Sequence, residues 1–137
     1  MTHSTLRRIL VYMWAAPTSV IGLLFLIPPM LRLTHVHMRI VDGVLELHGG
    51  LVTRFLRHGT FLRGGAAAMT LGHVVLGVNQ RALDETRDHE RVHVRQVERW
   101  GPAFIPAYLL ASVIAWMRGQ HPYLDNYFER EAFGRCD

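Results

Sequence analysis

The sequence of 137 residues contains no lysine and a single cysteine. Because Cys136 is the only cysteine, an internal disulfide framework and a structural zinc site built from cysteines are excluded. All 15 basic residues are arginines, and they are scattered along the chain rather than grouped in blocks. This scatter, without any nucleic-acid-binding motif, argues against nucleic acid as a partner. A single domain is the natural expectation for this length.

Charged side chains are absent from residues 9–31. This run reaches the roughly 20 apolar residues that a membrane-spanning helix needs. Pro17 is expected to kink the helix, and Pro28-Pro29 to end it. A secretory signal is the alternative interpretation, but no A-x-A-like cleavage site follows the run. We therefore predict a retained membrane anchor, and we prefer either of these to a buried soluble helix. Arginines flank the run on both sides, so the sequence does not set its orientation.

The middle third of the chain has the features of a small β-sheet. The Asp-Gly pair at residues 42–43 is typical of a hairpin turn and lies between β-branched and apolar residues. Residues 51–60 suit either a further strand or a short helix. Residues 68–78 are predicted as one strand, in which two internal glycines indicate bulges or close backbone approach.

The last third is predicted to be helical. The clearest helix covers residues 85–100, with Asp84 as its N-cap and a Gly-Pro pair after its end. A second apolar run covers residues 102–117 and reaches about 24 Å as a helix, short of the roughly 30 Å hydrocarbon core of a membrane. A short final helix is predicted over residues 124–133.

The predicted helix 85–100 carries the segment H-E-R-V-H. His89 and His93 are four residues apart, so their imidazoles lie one turn apart on one helix face and can bind one cation. Glu90 is offset by about 100° and stands beside that cation, where it can take a proton from a water that zinc activates. This is the chemistry of the H-E-x-x-H motif. A charged amphipathic helix, in a chain with nine histidines, is the alternative.

A catalytic zinc site needs a third protein ligand beside one open position. Glu98 is on the same helix and cannot fold back, and His121 precedes a proline in a polar linker. Glu129 and Glu131 lie in the last predicted helix. Either carboxylate, brought alongside by an intervening hairpin, would complete a His₂Glu ligand set.

The segments H-E-R-V-H and E-R-E-A-F together resemble the gluzincin class of zinc metallopeptidases, over roughly residues 68–133. The chain is most similar to HtpX-like and CAAX-protease-like membrane peptidases and to the small minigluzincins. In that family the first Glu of an E-x-x-A-D segment is the third ligand, which makes Glu129 the candidate and Glu131 the fallback. Ala132 matches the family alanine, whereas Phe133 stands where an aspartate is usual. The segment D-N-Y-F-E-R-E-A is also similar to one in small bacterial H-E-x-x-H proteins.

The resemblance and the predicted elements together imply an α+β fold. A membrane anchor (residues 1–33) would precede a small zincin-like domain (residues 34–137) with a sheet, a metal-binding helix, an apolar helix and a short C-terminal helix. The implied function is a zinc metallopeptidase of the bacterial inner membrane that hydrolyses peptides or proteins. Its Zn²⁺ would be held by His89, His93 and Glu129, with Glu90 as general base. The strand before the metal helix would bind extended substrate at the sheet edge.

This ligand set constrains the membrane topology. The two histidines precede the second apolar run and Glu129 follows it. If residues 102–117 crossed a bilayer as one straight helix, the ligands would lie on opposite sides. The site therefore requires that run to turn back or to lie flat. The alternative is a protein with two membrane spans and no metal site.

Two other functions stay open. The first is a catalytically inactive metal-binding scaffold of the same fold, which the departure at Phe133 favours. The second is a small membrane protein in which H-E-R-V-H is structural. Among further candidates, His73 would bind substrate or an oxyanion if it lay near the site, although a backbone partner is its commoner role. Tyr123 or Tyr127 would assist an oxyanion.

Overall fold

The computed structural model describes residues 3–60, 62 and 64–136. These residues combine helices with one sheet, so the predicted α+β class is confirmed. In chain order the elements are α1 (His3–Leu23), α2 (Ile27–Met30), β1 (His37–Val41), β2 (Val44–His48), α3 (Gly50–His58), β3 (Ala68–Leu71), β4 (Val74–Gly77), α4 (Gln80–Trp100), α5 (Phe104–Met117) and α6 (Tyr127–Cys136). Short 3₁₀ turns join α1 to α2 and α4 to α5.

The strands form a four-stranded sheet in the order β1-β2-β4-β3. β1 and β2 are an antiparallel hairpin around the predicted turn, in which Asp42 has a φ of 50° and Gly43 a φ of 78°. Both values lie in the left-handed region that two-residue hairpin turns favour. α3 and then β3 follow β2 in the chain before β4, which runs parallel to β2. Residues 51–60, for which strand and helix were both open, are therefore helical up to His58.

Residues 68–78 form a hairpin and not the single strand that was predicted. β3 and β4 are antiparallel and are joined by Gly72 and His73. Gly72 has a φ of 68°, and a Cβ atom there would overlap Ser19 of α1. Only glycine combines this backbone conformation with this close approach. The glycine that suggested a bulge thus marks a tight turn, and the turn places β3 at an edge of the sheet.

The two faces of the sheet bury different helices because side chains alternate along each strand. One face packs against α1 and α3 through Val74, Leu47 and Leu76. The opposite face packs against α4 through Val44 and Val75. Each fully buried side chain of this kind contributes about 1.5–3 kcal/mol to folding, so the sheet holds α4 firmly.

A buried ion-pair network also fixes α4 to the sheet. Glu46 on β2 is 2 % exposed and accepts two hydrogen bonds from Arg87, each 2.9 Å long. Arg91, one turn further along α4, donates to the same carboxylate at 3.3 Å. Because removing one partner of a buried pair costs about 3–5 kcal/mol, this network determines which side of α4 faces the sheet.

α4 begins earlier than predicted, at Gln80. Its N-cap is Asn79 and not Asp84, since the Asn79 side chain accepts a hydrogen bond from the backbone N–H of Ala82 at 2.8 Å. Asp84 instead accepts a hydrogen bond from Arg87 at 2.9 Å within the helix. The predicted C-terminal end is confirmed: α4 stops at Trp100, and Gly101 follows with a φ of 58°.

Two helical stretches, residues 3–30 and 80–117, are long and apolar enough to cross a membrane. The core helix of a soluble protein and a signal sequence can share this length and composition. Only 17 % of the apolar window in each stretch is buried within the protein. The first stretch loses its regular α-helix after Leu23, before the prolines that were predicted to end it, and those prolines lie in α2. The second stretch consists of α4, a 3₁₀ turn and α5.

α1 contacts the rest of the fold through its small residues. Ala15 and Thr18 are 0 % and 2 % exposed, and Gly22 is also buried, against Val74 of β4. The large apolar side chains of α1 point outward, with Met13 66 % exposed. The helix therefore packs along the sheet with one side and leaves an apolar side uncovered.

Candidate metal centre

His89 and His93 lie on the side of α4 that faces α6. Their Nε2 atoms are 3.2 Å apart, as expected for two imidazoles one helical turn apart that point to the same place. Both residues are well covered, since the side chains are 14 % and 7 % exposed. The spacing read from the sequence therefore places both donor atoms at one point of the fold.

Glu129 reaches the same point from α6. Its Oε2 atom lies 2.9 Å from Nε2 of His89 and 3.3 Å from Nε2 of His93. Its side chain is 4 % exposed. These three residues form a group that could hold a metal ion, with ligand atoms all within 4.8 Å of one another. α6 thus returns alongside α4, and the apolar helix α5 does not separate the three residues.

The donor atoms and their spacing are compatible with one bound metal ion. Tetrahedral zinc with bonds of about 2.0–2.1 Å to nitrogen and oxygen separates its ligand atoms by about 3.3–3.4 Å. The three separations here are 2.9, 3.2 and 3.3 Å. Two imidazoles and one carboxylate are also the protein ligands that catalytic zinc uses when it keeps its fourth position open.

Asn126 fixes the start of α6 and hence the position of Glu129. It is fully buried, and its Nδ2 atom donates to the backbone oxygen of Tyr108 at 3.0 Å and to Oγ of Ser112 at 2.8 Å. Its Oδ1 atom accepts from the backbone N–H of Phe128 at 2.8 Å. This asparagine both caps α6 and ties it to α5, so the helix begins at Tyr127 and not near residue 124 as predicted.

Tyr108 orients the carboxylate of Glu129. Its hydroxyl donates to Oε1 at 2.6 Å, which leaves Oε2 for the two histidines. Burial alone would raise the pKa of Glu129, but the hydrogen bonds from His89 and His93 outweigh burial and hold that pKa at about 2. The third candidate ligand is therefore ionised, as metal binding requires.

Gln96 selects the tautomer of His93. Its Nε2 atom donates to the backbone oxygen of Phe128 at 3.0 Å, and a carbonyl oxygen can only accept. The amide orientation this requires places Oε1 2.8 Å from Nδ1 of His93. Nδ1 therefore carries a proton, and Nε2, which faces Glu129 and His89, is the nitrogen that a metal ion would bind. Gln96 is 1 % exposed, so water does not compete for these bonds.

Glu90 faces the sheet edge beside the group. It is 6 % exposed, and its Oε2 atom accepts a hydrogen bond from the Thr70 hydroxyl of β3 at 2.6 Å. Burial raises the pKa of Glu90, although the nearby histidines and Thr70 act in the opposite direction. His89, the preceding residue on α4, points towards Glu129, whereas Glu90 points towards β3, as the offset of about 100° between neighbours predicts.

The structure places the remaining sequence candidates elsewhere. Glu131 lies 3.8 Å from Arg99. His121 accepts hydrogen bonds from the backbone N–H groups of Tyr123 and Leu124 in an exposed turn. Half-buried Tyr123 lies near the site, and burial together with the Glu129 carboxylate raises its pKa. Tyr127 is 63 % exposed.

His73 belongs to the contact between α1 and the sheet. It lies in the β3–β4 turn, and its Nε2 atom is 2.8 Å from Glu98. Its ring stacks on Tyr12, with centroids 4.0 Å apart, and its backbone N–H donates to Ser19. The expected backbone partner of its ring is thus replaced by a carboxylate.

Phe133 contacts the candidate ligand His89 through its aromatic ring alone. Its ring centroid is 4.6 Å from that of His89, with the planes tilted by 52°. Where the gluzincin pattern has an aspartate, this chain packs an aromatic ring against a candidate ligand.

The supporting residues Gln96, Tyr108, Asn126 and Thr70 were not anticipated from the sequence. Gln96 alone had a local signal, because it lies three residues after His93 on the same helix face. Comparisons with protein-family models, curated proteins and solved structures found no match to this chain.

Proposed function

We propose that the chain is a membrane-anchored zinc metallopeptidase of the gluzincin type. His89, His93 and Glu129 would hold the zinc ion, and Glu90 would be the general base. The proposal rests on three donor atoms that meet at one point. Glu129 on α6 is 36 positions from His93 and 40 positions from His89 along the chain, yet its carboxylate reaches both imidazoles. A purely structural H-E-R-V-H helix gives no reason for a distant carboxylate to meet both imidazoles.

The residues of the chain divide the chemistry between them. Bound zinc would supply Lewis acidity, lowering the pKa of a coordinated water towards neutrality. Glu90 would accept the proton and return it to the leaving amine. Thr70 holds Oε2 of Glu90, so we assign the proton transfer to Oε1. Burial raises the pKa of this carboxylate, which makes it a better proton acceptor.

The substrate would be an extended peptide bound along β3. This strand is at one edge of the sheet, and Thr70 in its centre contacts Glu90. In an antiparallel pair, successive residues turn their backbone N–H and C=O groups alternately towards the partner strand and away from it. The backbone N–H of Val78 donates to the oxygen of Ala67, so the backbone groups of Ala67 face β4. By that alternation the backbone groups of Ala68 and Thr70 face the open edge. A peptide added there as a fifth strand would pass beside the general base.

The uncovered sides of α1 and α5 support a membrane location. Large apolar side chains on both are more than half exposed, including Leu10 at 57 %, Met13 at 66 %, Trp116 at 68 % and Met117 at 74 %. Apolar patches of this extent are unfavourable in water and mark a surface covered by lipid or protein. We propose that α1 is the anchor and that α5 lies in the interface, in the bacterial inner membrane. Substrates would then be peptide segments close to that membrane.

Metal analysis and one variant test this proposal. The purified chain should hold about one zinc ion per molecule. Glu90→Gln should keep the zinc ion and lower peptide hydrolysis by at least 10²-fold, because it removes only the general base. Glu85→Gln is the matched control, since Glu85 lies on the same helix and is exposed. Hydrolysis that survives Glu90→Gln would contradict the proposed mechanism.

A metal-binding protein without hydrolytic activity is the second candidate. The observation that favours it is the contact of Phe133 with His89, where the family pattern supplies a polar group. Zinc at one per molecule, without cleavage of any member of a broad peptide library, would identify this function. Absence of bound metal would contradict both candidates.

A further inference from the structure

An apolar groove lies between α3 and the segment that follows α1. Its volume is about 490 Å³. Phe25 and Phe55 stand in its wall with ring centroids 5.1 Å apart. The other apolar lining residues are Leu24, Pro28 and Leu51, and the polar ones are Arg54 and His58. The groove therefore combines a surface suited to acyl chains with groups that can bind a phosphate.

None of the described residues that line this groove is acidic. No acidic residue occurs between Glu46 and Asp84, and none precedes Asp42. Arg54 and Arg57 are both exposed on α3, while Val52 and Leu56 of the same helix are fully buried. The apolar side of α3 is used by the core of the protein, so the side that it leaves exposed next to the groove is basic.

We propose that this groove binds one anionic phospholipid, with its acyl chains against the phenylalanines and its phosphate at Arg54 and His58. The inference rests on the proposed membrane location of the chain. The groove lies at the end of the apolar run, just before Arg32, which is the level where headgroups begin. An arginine close to an anionic lipid surface strengthens binding by roughly fivefold.

Two short-chain lipids with the same acyl chains test the proposal. The full chain in detergent is titrated with dioctanoyl phosphatidylglycerol and dioctanoyl phosphatidylcholine, and native mass spectrometry counts the bound molecules. We expect one phosphatidylglycerol per chain and an affinity about fivefold higher than for phosphatidylcholine. Arg54→Gln should remove this preference, and Leu51→Gln should weaken both lipids. Arg95→Gln, the same change at an exposed site on α4, should leave both affinities unchanged.

Three results would overturn the proposal. The first is equal affinity of the unaltered chain for the two lipids, and the second is an equal effect of Arg54→Gln and Arg95→Gln. The third is displacement of the lipid by inorganic phosphate at equal concentration, which would indicate a simple anion site. Because soluble lipids are used and zinc is not needed, failure here is distinguishable from failure of the proposed peptidase, which zinc content and hydrolysis report.

Discussion

Replacing Gln96 with leucine removes the support of one candidate ligand while keeping its size. Gln96 accepts from Nδ1–H of His93 and donates to the backbone oxygen of Phe128, and it is 1 % exposed. In the variant, Nδ1–H of His93 and the backbone oxygen of Phe128 each lose their hydrogen-bond partner, and water cannot replace it. Each unsatisfied buried group costs about 1–3 kcal/mol, so the free energy of unfolding should fall by about 2–6 kcal/mol.

Without Gln96, neutral His93 has no acceptor at Nδ1 and keeps its proton on Nε2, which lies 3.3 Å from Glu129. In that tautomer a proton occupies the Nε2 position that a metal ion would bind. Zinc binding must then move this proton to Nδ1, where it has no acceptor. We therefore expect zinc affinity to fall by roughly 10–100-fold, the usual effect of losing such a hydrogen-bond partner. The affinity is measured by competition with a chromophoric chelator.

The matched control is Gln80→Leu, which makes the same change in the first turn of α4, where Gln80 binds Asp84 in solvent. This control should leave zinc affinity unchanged. If Gln96→Leu also binds zinc within twofold of the unaltered chain, Gln96 does not set the tautomer of His93. Nitrogen-15 spectra of the imidazoles provide a direct check, since the protonated ring nitrogen is identified by its chemical shift.

Three further changes test other contacts of the site and the fold. Tyr108→Phe removes the donor to the third candidate ligand and should weaken zinc binding by about tenfold, whereas Tyr127→Phe, at an exposed position, should not; chelator competition measures both. Glu46→Gln should lower the free energy of unfolding in urea by about 3 kcal/mol, because two arginines lose their buried carboxylate, while Glu85→Gln should change it by less than about 1 kcal/mol. Thr70→Val should keep the zinc content and lower kcat by about tenfold, because the general base loses the hydroxyl that positions it; an unchanged kcat would show that this contact is not needed.

The parts of the site that follow from local geometry could be predicted from the sequence. His89 and His93 share a helix face because 3.6 residues complete one turn, whatever the rest of the fold does. The turn at Asp42-Gly43 and the end of α4 before Gly101 depend on backbone preferences of the residues themselves. The choice of Glu129 over Glu131 needed more, since both are carboxylates on one short helix, and the family resemblance supplied it.

The parts that depend on distant neighbours could not be predicted. Gly72 was expected in a strand, but it lies in a turn that packs directly against Ser19 of α1, a contact between distant parts of the chain. Asp84 and Asn79 are both good N-cap residues, and the chain uses the second because β4 ends at Gly77, two residues before it. Gln96, likewise, acquires its role only from Phe128 on another helix.

The comparison of Glu129→Gln with Glu131→Gln tests the central claim most directly. The two carboxylates are two residues apart on α6, yet only Glu129 lies within 3.3 Å of both histidines. After dialysis against a zinc buffer, the zinc content of each purified variant is measured by mass spectrometry. We predict that Glu131→Gln retains about one zinc ion per molecule and that Glu129→Gln loses most of it. Equal zinc content in the two variants, or none in the unaltered chain, would contradict the proposed metal centre.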